Sequence, residues 1–272
     1  MAHQPRKRFA QHWLRSDRVL DRIIMAADLE SGDRVLEIGP GTGSLTRRLL
    51  PLVESVVAVE IDRDLCRKLT AGLGKSENFL LLQGDILSLD LSELLRSFRS
   101  FQNLNKVVAN IPYNITGPIL EKLLGTIEHP AAFPYKIIVL LVQKEVAQRL
   151  VARSGSRAFG ALSVRVQYNA ECELICTVPA SAFYPPPQVE SAVVRLRPRQ
   201  CSPVAVDPRH LEMLILLGFA AKRKMLRNNL KSVVGSDRLI GLLSELGVNP
   251  QARAEDLSVR QWVSLSNLLV GP

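Results

Sequence analysis

The chain has 272 residues, of which 47% are hydrophobic, and it carries a formal net charge of +9 at pH 7. No apolar run reaches the roughly 18 residues that a membrane-spanning helix needs, and the basic first residues lack the apolar segment of a secretory signal. The sequence therefore predicts no membrane association. The excess of positive charge favours a polyanionic partner.

The cysteines and histidines do not indicate a metal site. The four cysteines match no zinc spacing, and the four histidines are scattered. Few thiols in a chain of this length are typical of a reducing compartment. We expect a cytoplasmic protein without a bound metal. The cysteines are Cys66, Cys172, Cys176 and Cys201.

Short apolar strands alternate with helical segments along most of the chain. The strands are expected at 33–39, 55–62, 78–85, 105–112 and 135–144, and the helices at 44–53, 63–73, 118–127 and 145–153. Such alternation is typical of an α/β fold with a mostly parallel, doubly wound sheet of the Rossmann-like kind. Two later strands, 170–178 and 191–198, have no helix of useful length between them, so a hairpin-like edge is expected.

A turn-rich segment at 198–208 ends this alternation. The chain beyond it has helical patterns at 209–234, 237–246 and 258–269. We therefore expect two domains, an α/β domain over residues 1–199 with a basic N-terminal arm, and a small all-helical domain over residues 200–272.

The first strand runs into a glycine-rich loop with the sequence EIGPGTG, which ends at Gly43. Glycines at this position let a ligand approach the backbone closely. A nicotinamide site would have the pattern G-x-G-x-x-G, but here the third glycine comes one residue early and Ser44 takes its place. This spacing, with Glu37 two residues ahead of Gly39, favours S-adenosylmethionine. Gly39 and Gly41 are the candidate contacts.

Acidic residues end the next two strands. Glu60 stands about 20 residues after the loop, where a carboxylate can accept hydrogen bonds from ribose hydroxyls. Asp85 can accept from an adenine amino group, and Ile86 offers the ring an apolar contact. Ile61 is assigned to the same site. Either acid alone is more often a solvated strand end, but their succession favours a cofactor site.

The fourth strand ends in the sequence VVANIPYN, which includes Asn110 and Tyr113. In a doubly wound sheet the first and fourth strands are neighbours, so Asn110 is expected next to Gly39. Its amide oxygen and the Ile111 carbonyl could hold an exocyclic amine, with Pro112 fixing the turn. Tyr113 offers a face on which a flipped base can stack. The alternative is a simple turn, because Asn and Pro also end strands for local reasons.

Six short segments, spread over nearly the whole chain, resemble one family. They are KRFAQHWL at 7–14, GPGTG at 39–43, NIPY at 110–113, LVQKE at 141–145, FYPPPQV at 183–189 and RKMLRN at 223–228. With them the chain resembles the small-subunit ribosomal RNA adenine dimethyltransferases, the enzymes whose loss confers kasugamycin resistance.

The resemblance implies a class I methyltransferase fold. We expect the protein to be a monomer. The resemblance also implies transfer of two methyl groups to N6 of each of two adjacent adenosines near the 3′ end of small-subunit RNA, in an immature 30S particle. Phe183 would help to clamp the target base, although it could also be a core residue. The family usually has Asn at position 12, where this chain has His12. The implied cofactor positions are His12, Leu14, Gly39, Glu60, Asp85 and Asn110.

Basic residues form two clusters that suit phosphate contacts, although a solvated basic face is the alternative. If the segment 209–234 is one helix, Lys224, Arg227 and Lys231 share a face of it. The predicted RNA-binding residues are Arg6, Lys7 and Arg8 in the arm, and Lys222, Arg223, Lys224, Arg227 and Lys231 in the helical part.

Three other functions fit parts of this pattern. A dinucleotide oxidoreductase is disfavoured by the early third glycine. A DNA or protein-glutamine N-methyltransferase favours a second proline where this chain has Ile111. A non-enzymatic assembly or transcription factor could share the fold, but the intact set of site residues argues for activity.

Overall fold

The computed structural model describes residues 11–131 and 135–271. They fall into two compact units. The first unit contains the described residues up to 123, together with 135–147 and 172–198. The second contains 124–131, 148–171 and 199–271. No helix in these described ranges is long and apolar enough to cross a membrane.

The described residues form nine strands. They are β1 (Trp13–Leu14), β2 (Arg34–Ile38), β3 (Ser55–Glu60), β4 (Phe79–Gln83), β5 (Lys106–Asn110), β6 (Ile137–Gln143), β7 (Ala170–Val178), β8 (Phe183–Tyr184) and β9 (Ser191–Pro198). Seven of them form one sheet in the order β4-β3-β2-β5-β6-β9-β7. The pairs from β4 to β6 are parallel, and β9 is antiparallel to β6. The doubly wound sheet is confirmed, and β7 and β9 are adjacent at one edge as predicted.

The central parallel strands have sequences that suit burial on both faces. All six residues of β3 are buried, and so are the first six of β6. Strands covered on both sides have continuous apolar runs instead of alternation. This also places the polar ends of these strands at the edge of the sheet, where the next residues leave the core.

Eleven α-helices occur in the described ranges. They are α1 (Asp17–Ala27), α2 (Thr46–Leu49), α3 (Arg63–Leu73), α4 (Leu91–Leu94), α5 (Thr116–Leu124), α6 (Lys144–Leu150), α7 (Ala161–Asn169), α8 (Pro208–Gly218), α9 (Leu226–Asn229), α10 (Ser236–Glu245) and α11 (Val259–Val270). The bounds of α3 match the prediction. Helix α2 is shorter than the predicted 44–53.

The prediction of one helix over 209–234 is wrong. Helix α8 ends at Gly218, where an added Cβ would lie 2.4 Å from the ring of Trp262. The amide nitrogen of Asn229 donates to the carbonyls of Gly218 and Ala221, which satisfies the end of the helix. The ring of Phe219 then packs 5.6 Å from that of Trp262 in the core of the second unit. These contacts accompany the end of the helix at Gly218 and the packing of the following residues into the core of the second unit.

Candidate active site

A pocket lies at the carboxyl ends of the parallel strands in the first unit, with about 710 Å³ of space that includes its opening to solvent. The pairing of β2 with β3 continues to Ile38, but the pairing of β2 with β5 ends at Leu36–Val107. The two strands therefore separate at the point where the strand order reverses. Ligands of open α/β sheets bind in this crevice.

The loop after β2 forms the floor of the pocket. Gly39, Gly41 and Gly43 have φ values of +67°, +59° and +78°, which glycine adopts most readily. The amide of Gly39 donates to the Val59 carbonyl at 2.9 Å. An added Cβ at Gly41 would lie 3.0 Å from the indole of Trp13. The loop is thus closely covered, and a side chain on Gly41 would displace that cover.

Glu60 joins the glycine loop to the start of α3. One carboxylate oxygen accepts from the amide of Gly41 at 3.1 Å, and the other accepts from the amide of Asp62 at 2.9 Å. The residue is only 4% exposed, and burial raises the pKa of its carboxyl while these backbone bonds oppose the rise. Each oxygen accepts one bond and keeps a further lone pair for a ligand.

Glu37, the acid ahead of the loop, is the second buried carboxyl. It is 1% exposed, and its Oε2 has no hydrogen-bond partner among the described residues. Burial raises the pKa of Glu37 to about 8; the nearby Thr46 opposes the shift and the charge of Glu60 adds to it. Glu37 therefore carries its proton at neutral pH.

The predicted adenine and ribose contacts line the same pocket. Asp85 follows β4 and is half-buried; its Oδ1 accepts from the amide of Leu87 at 2.9 Å. Ile86 is buried beside it, and Ile61 is 46% exposed at the rim. The pocket thus offers an acceptor carboxylate together with two apolar side chains, as a flat heterocycle with an amino group requires.

Asn110 has one end of its amide fixed. The Nδ2 group donates to the carbonyl of His12 at 3.0 Å, while Oδ1 accepts no hydrogen bond from the described residues. Asn110 lines the pocket together with Gly39. Because the nitrogen is held by the backbone, the oxygen is the end of the amide that is available to a ligand.

Tyr113 is fixed at its hydroxyl and at its ring. Its hydroxyl is hydrogen-bonded to the Ser191 hydroxyl at 2.5 Å, and its ring is stacked with that of His12 at a centroid distance of 6.1 Å. Burial raises the pKa of Tyr113, and the bond to Ser191 opposes this. The His12 ring in turn lies 2.7 Å from the carbonyl of Pro185 through Nδ1. These contacts give the tyrosine ring a fixed orientation at the pocket wall.

Residues 2–270 match a family model described as ribosomal RNA adenine dimethylase. The chain belongs to this family. It is 69% identical to the ribosomal RNA small subunit methyltransferase A of Nostoc sp. (strain PCC 7120), over 98% of each chain. It is 55% identical to the protein of that name from Synechococcus elongatus, over 98% of this chain and 96% of the relative.

Two solved structures resemble the chain over most of its length. A dimethyladenosine transferase from Plasmodium falciparum is 28% identical, with a TM-score of 0.77 over 93% of this chain and 96% of its own. The 23S rRNA methyltransferase ErmE is 26% identical, with a TM-score of 0.74 over 95% and 100%. Both support the class I methyltransferase fold, and the second shows that this fold also occurs in an enzyme of the large-subunit RNA.

Two predicted site residues lie outside the main pocket. Leu14 and Phe183 face each other across the antiparallel pair β1–β8, and both belong to the apolar core of the first unit. Phe183 is 4% exposed. Leu14 lines a smaller recess that shares Gly39, Gly41 and Asn110 with the main pocket. The remaining predicted catalytic and cofactor residues line the pocket itself: His12, Gly39, Gly41, Glu60, Ile61, Asp85, Ile86, Asn110, Ile111, Pro112 and Tyr113.

The predicted RNA-binding residues lie apart in the chain. Arg6, Lys7 and Arg8 are outside the described residues. The other five belong to the second unit. Lys222 donates to the Arg157 carbonyl and lies 3.9 Å from Glu255. The predicted single helical face of Lys224, Arg227 and Lys231 is wrong, because only Arg227 lies in α9 and the chain turns on either side of it.

Two pocket features were missed from the sequence. Trp13 covers the glycine loop, and Ser191 holds the Tyr113 hydroxyl. Trp13 stands between two residues of a recognised segment, so its position was a usable signal. Ser191 has none, since it lies 78 positions from Tyr113 and meets it only through the fold.

Proposed function

We propose that this protein uses S-adenosylmethionine to dimethylate N6 of two adjacent adenosines near the 3′ end of small-subunit ribosomal RNA, within an immature 30S particle. Relatives named ribosomal RNA small subunit methyltransferase A, 55–69% identical over nearly their full length, support the RNA class. The observation that carries the chemistry is the fixed amide of Asn110, whose oxygen has no partner among the described residues.

The pocket fits S-adenosylmethionine in its donor and acceptor groups. The carboxylate of Glu60 would hold the ribose hydroxyls, and Asp85 with Ile86 would hold the adenine. The backbone at Gly39 has open space beside it, since an added Cβ would have no neighbour nearer than 3.8 Å. The cofactor could therefore approach this backbone closely. When bound, S-adenosylmethionine supplies an electrophilic methyl group. His12, which lines the same pocket, would contact it with an imidazole where the family usually has an amide.

The proposed role of Asn110 follows from the chemistry of adenine. The N6 lone pair is delocalised into the ring, so the amine is a poor nucleophile. The Asn110 oxygen and the Ile111 carbonyl would accept its two N–H groups and favour a pyramidal nitrogen. Pro112 fixes the turn that carries both acceptors. No general base is required, because the ammonium product loses its proton readily to water.

Tyr113 would supply the stacking face for the flipped adenine. A ring held by Ser191 and His12 loses little further freedom on binding, which favours capture of the base. The same role for Phe183 requires its ring to leave the core of the first unit. Phe183→Leu tests this: a loss of base capture with unchanged stability supports a clamp, and a loss of stability alone makes Phe183 a core residue.

We further propose that the exposed basic side chains of residues 200–272 bind ribosomal RNA, as part of the second unit that also contains 124–131 and 148–171. We also propose that the protein acts as a cytoplasmic monomer. Arg223 and Lys224 are exposed, and Arg227 is half-buried next to them. Replacing these three with Gln should weaken binding to the particle. The slope of log affinity against log salt should also fall by about 0.7–0.9 for each lost phosphate contact.

The decisive experiment is methyl transfer from labelled S-adenosylmethionine to immature 30S particles, followed by nucleoside analysis. The proposal predicts labelled N6,N6-dimethyladenosine in the small-subunit RNA of immature particles. Mature particles should take up no label, because their adenosines are already dimethylated. Label found in large-subunit RNA or in protein would contradict the proposal and identify a different substrate. Tight particle binding without any transfer would make the protein an assembly factor.

A further inference from the structure

A second cleft in the first unit, separate from the cofactor pocket, is lined by arginines. It encloses about 1030 Å³ of space open to solvent between the start of α1 and residues 176–182. Arg15, Arg18 and Arg22 line one wall, and the opposite wall includes Thr177 and Ser181. All three arginines are exposed. With Ser16, the cleft thus combines three positive charges with three hydroxyl groups.

The acidic residues of α1 do not neutralise this wall. Asp17 and Asp21 both pair with Arg48, which is on α2. Arg18 and Arg22 form no ion pair with any described residue. The helix therefore separates its charges, with the acids held by α2 and the arginines directed at the cleft.

This arrangement is locally unfavourable for the free protein. Like charges four residues apart on a helix, such as Arg18 and Arg22, repel each other. Arg18 also lies in the first turn, where the positive end of the helix dipole disfavours a cation. Sequences depart from such local preferences mainly at functional sites. An anion bound in the cleft would offset both the repulsion between the arginines and the unfavourable effect of the helix dipole.

Arg15 connects the cleft to the proposed active site. Its guanidinium carbon lies 4.0 Å from the centroid of the Tyr184 ring, and its backbone amide donates to the Ala182 carbonyl at 2.8 Å. Trp13, two residues earlier, lines the pocket, and its ring lies 6.5 Å from that of Tyr184. A chain leaving the pocket past Trp13 would meet the exposed face of Tyr184 and then the arginines.

We propose that this cleft binds backbone phosphates of the RNA strand that carries the target adenosines, with Arg15, Arg18 and Arg22 as the phosphate contacts. The inference deepens the proposed function and rests on it. Planar guanidinium groups suit phosphate oxygens. The cleft wall has no exposed large apolar side chain of the kind that a membrane-surface site inserts into lipid.

The test compares two double variants of the full chain that lose the same charge. Arg18→Gln with Arg22→Gln changes the cleft, and Arg96→Gln with Arg99→Gln changes exposed arginines between α4 and β5. Affinity for immature 30S particles is measured over a range of salt. We expect the cleft variant to bind on the order of tenfold more weakly, with a slope lowered by about 0.7–0.9 per lost contact. Affinity for S-adenosylmethionine should not change in either.

Equal affinities and slopes for the two variants would overturn the cleft proposal. So would a loss of binding to phosphatidylserine vesicles while particle binding stays intact. Failure of the proposed function looks different, because the wild-type chain would then bind particles without forming dimethyladenosine. In that case the affinities of the two double variants for the particle still decide whether the cleft binds RNA.

Discussion

Replacing Glu60 separates cofactor binding from loop stability. Glu60→Ala removes a carboxylate that would accept charge-assisted hydrogen bonds from two ribose hydroxyls, each worth about 1.5–3 kcal/mol. It also leaves the amides of Gly41 and Asp62 without their acceptor, at about 1–3 kcal/mol each. Burial of the Glu60 carboxylate is itself unfavourable, as its raised pKa indicates. Removing it therefore offsets part of the stability lost at the two amides. The loss of cofactor affinity should therefore exceed the loss of stability.

Isothermal calorimetry with S-adenosylmethionine at neutral pH measures the first effect, and urea unfolding without cofactor measures the second. We expect affinity to fall on the order of 100-fold or more, and the free energy of unfolding to fall by about 2 kcal/mol or less. Glu60→Gln keeps the volume but retains one acceptor oxygen, so it should be intermediate. Glu77→Ala, which removes an exposed carboxylate, is the matched control. Unchanged affinity in Glu60→Ala, with reduced stability, would make Glu60 only a brace for the loop.

Three further predictions concern buried contacts. The folded protein keeps the Glu37 proton that the unfolded chain loses above about pH 4.5, so the free energy of unfolding should fall as pH rises from about 4.5 to about 8, by up to about 1.4 kcal/mol per pH unit. Glu37→Gln should flatten this dependence in urea titrations, and an unchanged slope would refute it. Ser191→Ala should cost about 1–3 kcal/mol by leaving the Tyr113 hydroxyl unpaired, and adding Tyr113→Phe should recover most of it; no recovery would mean that the pair does not interact. Gly218→Ala should destabilise the protein by about 1–3 kcal/mol through the clash with Trp262, whereas an unchanged melting temperature would show that the ring moves freely.

The sheet and most of the pocket were predictable because their signals are local. Continuous apolar runs mark strands that are buried on both faces, and the bounds of β7 and β9 agree with the predicted 170–178 and 191–198. The chemistry-bearing residues follow the ends of these strands. Parallel topology brings such ends to one edge, so Glu60, Asp85 and Asn110 meet in one pocket as expected.

The rest depends on tertiary contacts. The segment 209–234 has a helical pattern throughout, yet the rings of Phe219 and Trp262 and the cap from Asn229 divide it. No local pattern contains that information, because α11 lies some 40 residues later. The contact of Ser191 with Tyr113 likewise arises only from the strand order β5-β6-β9, since Tyr113 follows the end of β5 and Ser191 begins β9.

The most direct test of the account is the single-turnover rate of methyl transfer by Asn110→Ala on immature 30S particles. If the free amide oxygen holds the target amine during transfer, the rate should fall on the order of 100-fold or more, as for the loss of one preorganised polar group. Affinity for the particle should barely change, because phosphate contacts supply most of it. Near-normal turnover would contradict the account and reduce the sequence NIPY to a turn that ends a strand.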